Sequence, residues 1–336
     1  MSDTVLVTGA AGFIGFHVAR RLLTRGRAVV GVDNLSPYYD PALKMARRKE
    51  LERFAEFRFV HLDLADRAAT ERLFAETRGP VVIHLAAQAG VRHSLTDPHS
   101  YVDANVVGFL NVLEGCRHNG CQHLLFASSS SVYGANTQQP FSTDQHVDHP
   151  ISLYGATKRA DELMAHAYAH LYRLPATGMR FFTVYGPWGR PDMAMWVFAS
   201  AIQSGRPIRL FNNGKMWRDF TYIDDASEAV LRLIDHIPQP RTFPAGSMPG
   251  PAESSAPWRI FNIGNSSPVE VPRIVALLEA ELGRTTVKEM APMQPGDVPV
   301  TCADVGPLAQ AIGFQPATPI DVGIKEFVKW FRAYHG

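Results

Sequence analysis

Val5-Leu6-Val7-Thr8-Gly9-Ala10-Ala11-Gly12-Phe13-Ile14-Gly15 is the stretch that decides the fold. Its apolar start reads as a buried strand, and its glycines turn that strand into a helix running through Val18, Leu22 and Leu23. In such a unit Gly9 makes the tight turn, Gly12 lets backbone approach a diphosphate, and Gly15 lets the helix pack close to the strand. The helix N-terminus then faces the anion. Residues 28–33 supply a second strand, which ends in Asp33, eighteen residues after Gly15. An acid there suits the two hydroxyls of an adenosine ribose and repels a 2′-phosphate, so NAD is favoured over NADP.

Working outward, residues 57–64 read as a third strand whose Asp63 is placed to reach an adenine amine if the sheet is doubly wound. Residues 80–87 form a fourth that ends in small residues, and His84, inside its apolar run, reads as a packed histidine. Val102, Val106, Leu110 and Leu113 recur at helical spacing within residues 98–119, before a fifth strand over residues 121–128. A helix over about 152–173 and a sixth strand over 176–182 follow. Ligands bind beyond the carboxyl ends of parallel strands, where the glycine turn, Asp33, Asp63, Ala86 and Ser128 to Ser131 all fall. The fold class is therefore α/β, a Rossmann-type doubly wound parallel sheet occupying residues 1–182.

From Val184-Tyr185-Gly186-Pro187-Trp188-Gly189-Arg190-Pro191 the chain changes character, so residues 183–336 are expected to form a smaller C-terminal, substrate-binding lobe, with segments about 217–263 able to return to the sheet. Short strands are expected over 208–211, 217–222 and 258–263, with helices over 224–237, 271–282, 307–312 and 320–334. Residues 238–257, rich in Pro, Gly, Ala and Ser, are expected to be a mobile surface loop. Lys44, Arg47, Arg48 and Lys49 fall on a basic helix and read as a solvated face.

With 336 residues, 46% hydrophobic and 19% charged, the chain has the make-up of a folded globular protein. A formal net charge of +1 gives no reason to expect nucleic acid or an anionic membrane as partner. Cys116, Cys121 and Cys302 have neither metal spacing nor a disulfide framework, and the chain starts without a signal-type apolar core. A cytoplasmic protein without a metal is the expectation. No apolar run approaches the roughly 18 residues of a membrane span.

The chemistry is expected where Ser128-Ser129-Ser130-Ser131-Val132-Tyr133-Gly134 is followed by Tyr154-Gly155-Ala156-Thr157-Lys158. Four residues apart on a helix, Tyr154 and Lys158 share a face. An ammonium beside a phenol favours the phenolate, which equips Tyr154 to exchange protons with a substrate hydroxyl near neutral pH.

With these residues in hand, the chain resembles the extended short-chain dehydrogenase/reductase family, and within it the nucleotide-sugar epimerases. Thr8-Gly9-x-x-Gly12-x-x-Gly15 matches that family's cofactor loop, and Tyr154-x-x-x-Lys158 after a serine-rich strand end matches its catalytic pair. The resemblance implies that Ser129, Tyr154 and Lys158 are catalytic, with Ser129 bonding the sugar hydroxyl to be oxidised and Ser128, Ser130 and Ser131 as competitors for that place. For NAD it implies Gly9, Gly12, Phe13, Ile14, Gly15, Asp33, Asn34, Ser36, Asp63, Leu64, Leu85, Ala86, Ala87, Gln88, Asn105, Ser128, Tyr154, Lys158, Phe181 and Val184. For a UDP-sugar it implies Ser129, Ser130, Ser131, Tyr154, Thr183, Arg190, Arg218 and Asp297, with Arg218 on the diphosphate.

Residues 181–193 look like those of the UDP-glucuronate 4-epimerases more than those of the UDP-galactose 4-epimerases. A substrate carboxylate calls for a charge-assisted partner, and Arg190 or Arg180, with Thr183, is of the right type. The implied reaction removes the C4 hydrogen to NAD and returns it to the other face of a transient 4-keto sugar, so NAD is regenerated and tightly held. UDP-galactose epimerase activity is an alternative. Another is a lyase, a UDP-glucuronate decarboxylase or sugar 4,6-dehydratase; those groups carry acids where this chain has Ser130 and Ser131. A third is a non-catalytic NAD-binding protein. The resemblance also implies a homodimer formed through the helices over 98–119 and 152–173.

Overall fold

The computed structural model describes residues 4–244, 246–247 and 249–335. Its centre is a seven-stranded sheet, all of whose pairings are parallel. In chain order the strands are β1 (Val5–Thr8), β2 (Val29–Asp33), β3 (Phe57–His61), β4 (Val81–His84), β5 (His123–Ser129) and β6 (Ala176–Phe181). After β7 (Thr183–Tyr185), β8 (Ile208–Leu210) and β9 (Trp217–Tyr222), β10 (Trp258–Ile263) returns to pair with β6. The spatial order β10-β6-β5-β4-β1-β2-β3 reverses direction between β1 and β4. At such a reversal the loops leave on opposite faces and open a crevice beyond the strand ends.

Helices cover both faces, which is why β1, β2 and β4 are buried along their whole length and read as apolar runs without alternation. On one face lie α1 (Phe13–Thr24) and α2 (Pro41–Leu51); on the other, α3 (Arg67–Thr77), α4 (Pro98–Tyr101), α5 (Gly108–His118) and α6 (Leu153–Tyr172). The apolar repeat over 98–119 is interrupted by one π-helical segment, Val102–Val107, between α4 and α5. That extra residue per turn rotates Asn105 into the interior. Ser152 caps α6 by accepting from the Gly155 N–H at 3.0 Å, and Arg173 ends the helix in the left-handed conformation.

The remaining elements include α7 (Ala194–Ser204), α8 (Ile223–Ile234), β11 (Pro268–Glu270), α9 (Val271–Leu282), β12 (Lys288–Met290), α10 (Gly306–Ile312) and α11 (Ile320–His335). Of these, α8 runs beside α1 on the first face, its last carbonyl, of Ile234, meeting the His123 ring at the start of β5. β11, β9 and β7 form a second sheet, and β12 with β8 a third. Two of the sequence expectations need correction here. The strands over residues 57–64 and 80–87 stop at His61 and His84, because the chain must leave the sheet before Asp63 and Ala86 can face the crevice. Lys44 and Arg47 are not a solvated face: Lys44 is 8% exposed and Arg47 is fully buried. Within residues 238–257, residues 245 and 248 lie outside those described; Ser254 there is buried and accepts or donates to His166 at 2.9 Å. No helix among the described residues is long and apolar enough to cross a membrane.

Candidate active site

The crevice holds a cavity of about 440 Å³ that runs from the ends of β2 and β3, past the glycine turn, to the serine run and on to Arg218. The backbone builds its floor. Gly9 has φ +70, and a Cβ there would stand 2.7 Å from the Ala86 backbone nitrogen; a Cβ on Gly15 would stand 2.0 Å from the Gly9 oxygen. The turn therefore closes only with glycine at both places. Gly12 caps α1 without any side-chain bond, so the first N–H groups of that helix, at Phe13 and Ile14, are left for whatever enters the cavity. An uncapped helix start on a cavity wall fits the diphosphate of a dinucleotide.

At one end Asp33 is 7% exposed, and its carboxylate accepts from the Ala11 N–H at 3.1 Å and the Leu35 N–H at 2.8 Å. The Lys44 ammonium stands 3.8 Å from it, inside the same cavity. Asp63 accepts from the Asn34 side-chain amide at 3.0 Å and from the Ala65 N–H at 2.9 Å, which fixes both acids at the mouth. Arg47 ties this end shut from behind, donating to the carbonyls of Ala11, Trp188 and Gly189 and to the Tyr39 hydroxyl at 2.7–3.1 Å. The sequence did carry a sign of this: Leu43, Arg47 and Leu51 are spaced four apart, so Arg47 lies on the apolar face of α2.

In the middle, β5 delivers the serines. Ser128 donates to Glu162 at 2.6 Å, which commits its proton to the interior while its oxygen still lines the cavity. Ser129 only accepts, from the Ser131 N–H at 3.1 Å, so its own hydroxyl hydrogen is free to point into the cavity that Ser129, Ser130 and Ser131 line. Tyr154 and Lys158, on the first turns of α6, line the same cavity. The Tyr154 ring packs edge-on against Tyr101, 6.1 Å away, and Tyr101 is itself anchored through its hydroxyl to the carbonyls of Ala89 and Gly90. The Lys158 ammonium donates to Asp161 at 2.7 Å.

The structure brings nearly every residue expected at the site onto this one cavity: Phe13, Ile14, Asn34, Ser36, Leu64, Leu85, Ala86, Ala87, Gln88, Phe181, Thr183, Val184, Arg190, Arg218 and Asp297 all line it. Asn105 does not. It lies behind the wall, exchanging bonds of 2.8 and 3.0 Å with the Gln88 backbone and one of 3.0 Å with Thr157, and so shapes the Gln88 segment.

The two arginines considered for a carboxylate differ from that expectation. Arg180 is fully buried on β6 and gripped by Glu162, so it is not on the cavity at all. Arg190 lines the cavity but not as a free cation, since Asp192 holds it through two bonds of 3.0 and 2.5 Å and also accepts from the Tyr38 hydroxyl at 3.0 Å. Burial and the Asp192 carboxylate push the Tyr38 phenol up to about 12. At the far end Arg218 donates to Asp297 at 2.6 Å and to the carbonyls of Trp217 and Pro299.

Known proteins resemble this chain in sequence and in fold. The sequence profile of the NAD dependent epimerase/dehydratase family matches residues 5–246. A probable UDP-glucuronate 4-epimerase from Rhizobium meliloti is 49% identical over 97% of this chain and 96% of its own length. The Arabidopsis thaliana UDP-glucuronate 4-epimerase 4 is 47% identical over 99% of this chain and 76% of its own. The crystal structure of the Bacillus cereus UDP-glucuronic acid 4-epimerase in complex with UDP-glucuronic acid and NAD superposes with a TM-score of 0.87 at 30% identity, covering 98% of this chain and 99% of that one.

Proposed function

Because this chain belongs to the NAD dependent epimerase/dehydratase family, we propose that it is an isomerase, an NAD-dependent 4-epimerase that interconverts UDP-glucuronate and UDP-galacturonate through a transient 4-keto sugar. The observation that carries this reading is the convergence of the glycine turn, Ser129, Tyr154, Lys158 and Thr183 on one cavity, in a chain whose 45–49% identical relatives include several UDP-glucuronate 4-epimerases. NAD, when bound, supplies the acceptor for the C4 hydrogen and later its donor.

The chain's own residues do the rest. The open N–H groups at the start of α1 hold a diphosphate, Asp33 takes the adenosine ribose, and Asp63 the adenine. Tyr154 removes the proton from the C4 hydroxyl and gives one back after inversion, while the free hydroxyl of Ser129 orients that oxygen. Arg218, its charge partly matched by Asp297, holds the UDP diphosphate. For the C6 carboxylate the available donors are the hydroxyls of Thr183, Ser130 and Ser131. Arg190 serves the wall between Tyr38 and Asp192. Neither Ser130 nor Ser131 can act as an acid in an elimination, which supports an epimerase over the lyases.

Residues 1–182 and β10 form the cofactor-binding part of this reading, and the rest mainly the sugar-binding part. Val107, Leu110, Leu163 and Leu171 leave apolar side chains exposed on the segments from α4 to α6, which supports a homodimer through those helices. Three free thiols suit a reducing compartment such as the cytoplasm. The test is Tyr154→Phe, which should keep the fold and the NAD while abolishing turnover of UDP-glucuronate. Near-normal activity in that variant would sink the assignment.

A further inference from the structure

Asp161 has no place in the machinery above, yet it touches Lys158. Three residues apart on α6, the two side chains are each 1% exposed, and the ammonium donates to Asp161 Oδ2 at 2.7 Å. The other carboxylate oxygen, Oδ1, is buried with no hydrogen-bond partner among the described residues. A carboxylate desolvated to this extent and held by one ammonium is an expensive way to fix a lysine, since two well-packed apolar residues would stabilise the helix as well or better. Its effect on the site is of a different kind: it places a negative charge beside the ammonium that shares a helix face and the cavity wall with Tyr154.

Resting on the reading of Tyr154 as the proton-exchanging group, we propose that Asp161 is a positioning residue that clamps the Lys158 ammonium at the cavity wall and offsets part of its field at Tyr154. The pH at which the site can take a proton from the substrate is thereby raised. Other charges nearby are already matched. Glu162, the next residue, is spent on Arg180 and Arg159, and despite its burial those arginines hold it below the usual carboxylate range. His84, facing Lys158 from β4, is kept neutral, its imidazole driven down to about 3 chiefly by burial. On the π-helical segment Asp103 is exposed and the buried side chain is the neutral amide of Asn105, while α4 sets the Tyr101 ring against Tyr154. Burial pushes the Asp161 carboxyl up to about 6 against the pull of Lys158, so above that pH it carries its charge.

Asp161→Asn deletes the charge and keeps an oxygen to accept from Lys158. Ultraviolet difference spectra between the NAD-loaded protein and its Tyr154→Phe counterpart read tyrosinate at position 154 without any substrate. With Asp161→Asn in both members of the pair, the transition is expected at a pH lower by on the order of one unit. The acid limb of kcat on UDP-glucuronate should move the same way, with KM unchanged. Asp161→Ser, which also removes the charge, serves as the second variant should the first not fold. A transition that stays in place or moves upward, in a variant that folds and keeps NAD, overturns the proposal. Failure of the unmutated protein to invert UDP-glucuronate at C4 would instead overturn the functional reading, and the spectral shift would still stand or fall by itself.

Discussion

Arg180 and Glu162 meet through two parallel bonds of 2.8 and 3.0 Å with neither side chain exposed to solvent. The pair joins β6 to α6 behind the serine run, and Glu162 also accepts from Ser128, so the same carboxylate fixes the strand end that presents Ser129. The guanidinium lies over the Tyr133 ring, 4.9 Å from its centroid.

Removing one partner leaves the other charged and buried. Glu162→Gln is expected to cost about 3–5 kcal/mol of stability, read as a fall in the urea midpoint. A loss under about 1 kcal/mol, the scale of an exposed pair, would show that the pair is relaxed in solution.

Acid should unfold the protein early. Burial drives His17 and His123 down to about 4 and His84 down to about 3, so in the folded state all three stay neutral well below the ordinary histidine value of 6.5. Below pH 6.5 the unfolded chain gains three protons that the native one refuses, and stability falls with the pH. Asp161 works in the opposite direction, since its folded value of about 6 lies above 3.8 and the native state takes up that proton first. Three histidines less one aspartate leave about two protons bound on unfolding near pH 5, a slope of roughly 2–3 kcal/mol per pH unit. Urea titrations between pH 7 and 4.5 measure it; a flat profile would contradict these burials.

Cofactor choice should turn on Asp33 and the lysine beside it. The unmutated protein is expected to hold NAD well ahead of NADP. In Asp33→Ser the Lys44 ammonium, 3.8 Å from the present carboxylate, loses its acidic neighbour and becomes a partner for a 2′-phosphate. NADP binding should then rise by about tenfold or more, the equivalent of 1.4 kcal/mol. Stronger binding of NADP than NAD by the unmutated protein would refute the role given to Asp33.

Much of this was legible in the sequence because it is local. The Gly9–Gly15 turn, Asp33 at a strand end and the Tyr154–Lys158 spacing are set by residues a few positions apart, and β9, β10 and α9 begin and end where periodicity places them. Pairings across the chain were not legible. Nothing near Arg180 in sequence announces Glu162, and although Arg190 and Asp192 stand two residues apart, the Tyr38 hydroxyl that also donates to Asp192 comes from a loop about 150 residues away. Lys44 and Arg47 looked like surface charges because a run of basic residues suggests a solvated face, although the spacing of Arg47 from Leu43 and Leu51 already put it on the covered side. The π-helical segment shifts the helical phase by one residue, which no apolar repeat can report.

Sugar choice should follow Thr183 more than Arg190. Thr183→Val removes a hydroxyl donor at the cavity wall and is expected to weaken use of UDP-glucuronate by about tenfold, the scale of a bond to a charged group, while leaving UDP-glucose nearly as before. Arg190→Ala should harm both sugars alike, because Asp192 already matches the arginine's charge. A loss confined to the acid sugar in Arg190→Ala would return the carboxylate to that residue.

The central claim is C4 inversion of a uronate without loss of carbon. Oxidation at C4 makes a β-keto acid, which sheds carbon dioxide once the breaking bond aligns with the ketone π system. On the proposed reading, hydroxyls of Thr183, Ser130 and Ser131 at the cavity wall would bond the ionised carboxylate and stabilise it over a transition state in which that charge departs, and no acid stands among them to assist. Carbon NMR of the NAD-loaded protein with labelled UDP-glucuronate tests this directly. The account predicts UDP-galacturonate accumulating to equilibrium with the carboxyl carbon retained; UDP-pentose as the main product would contradict it.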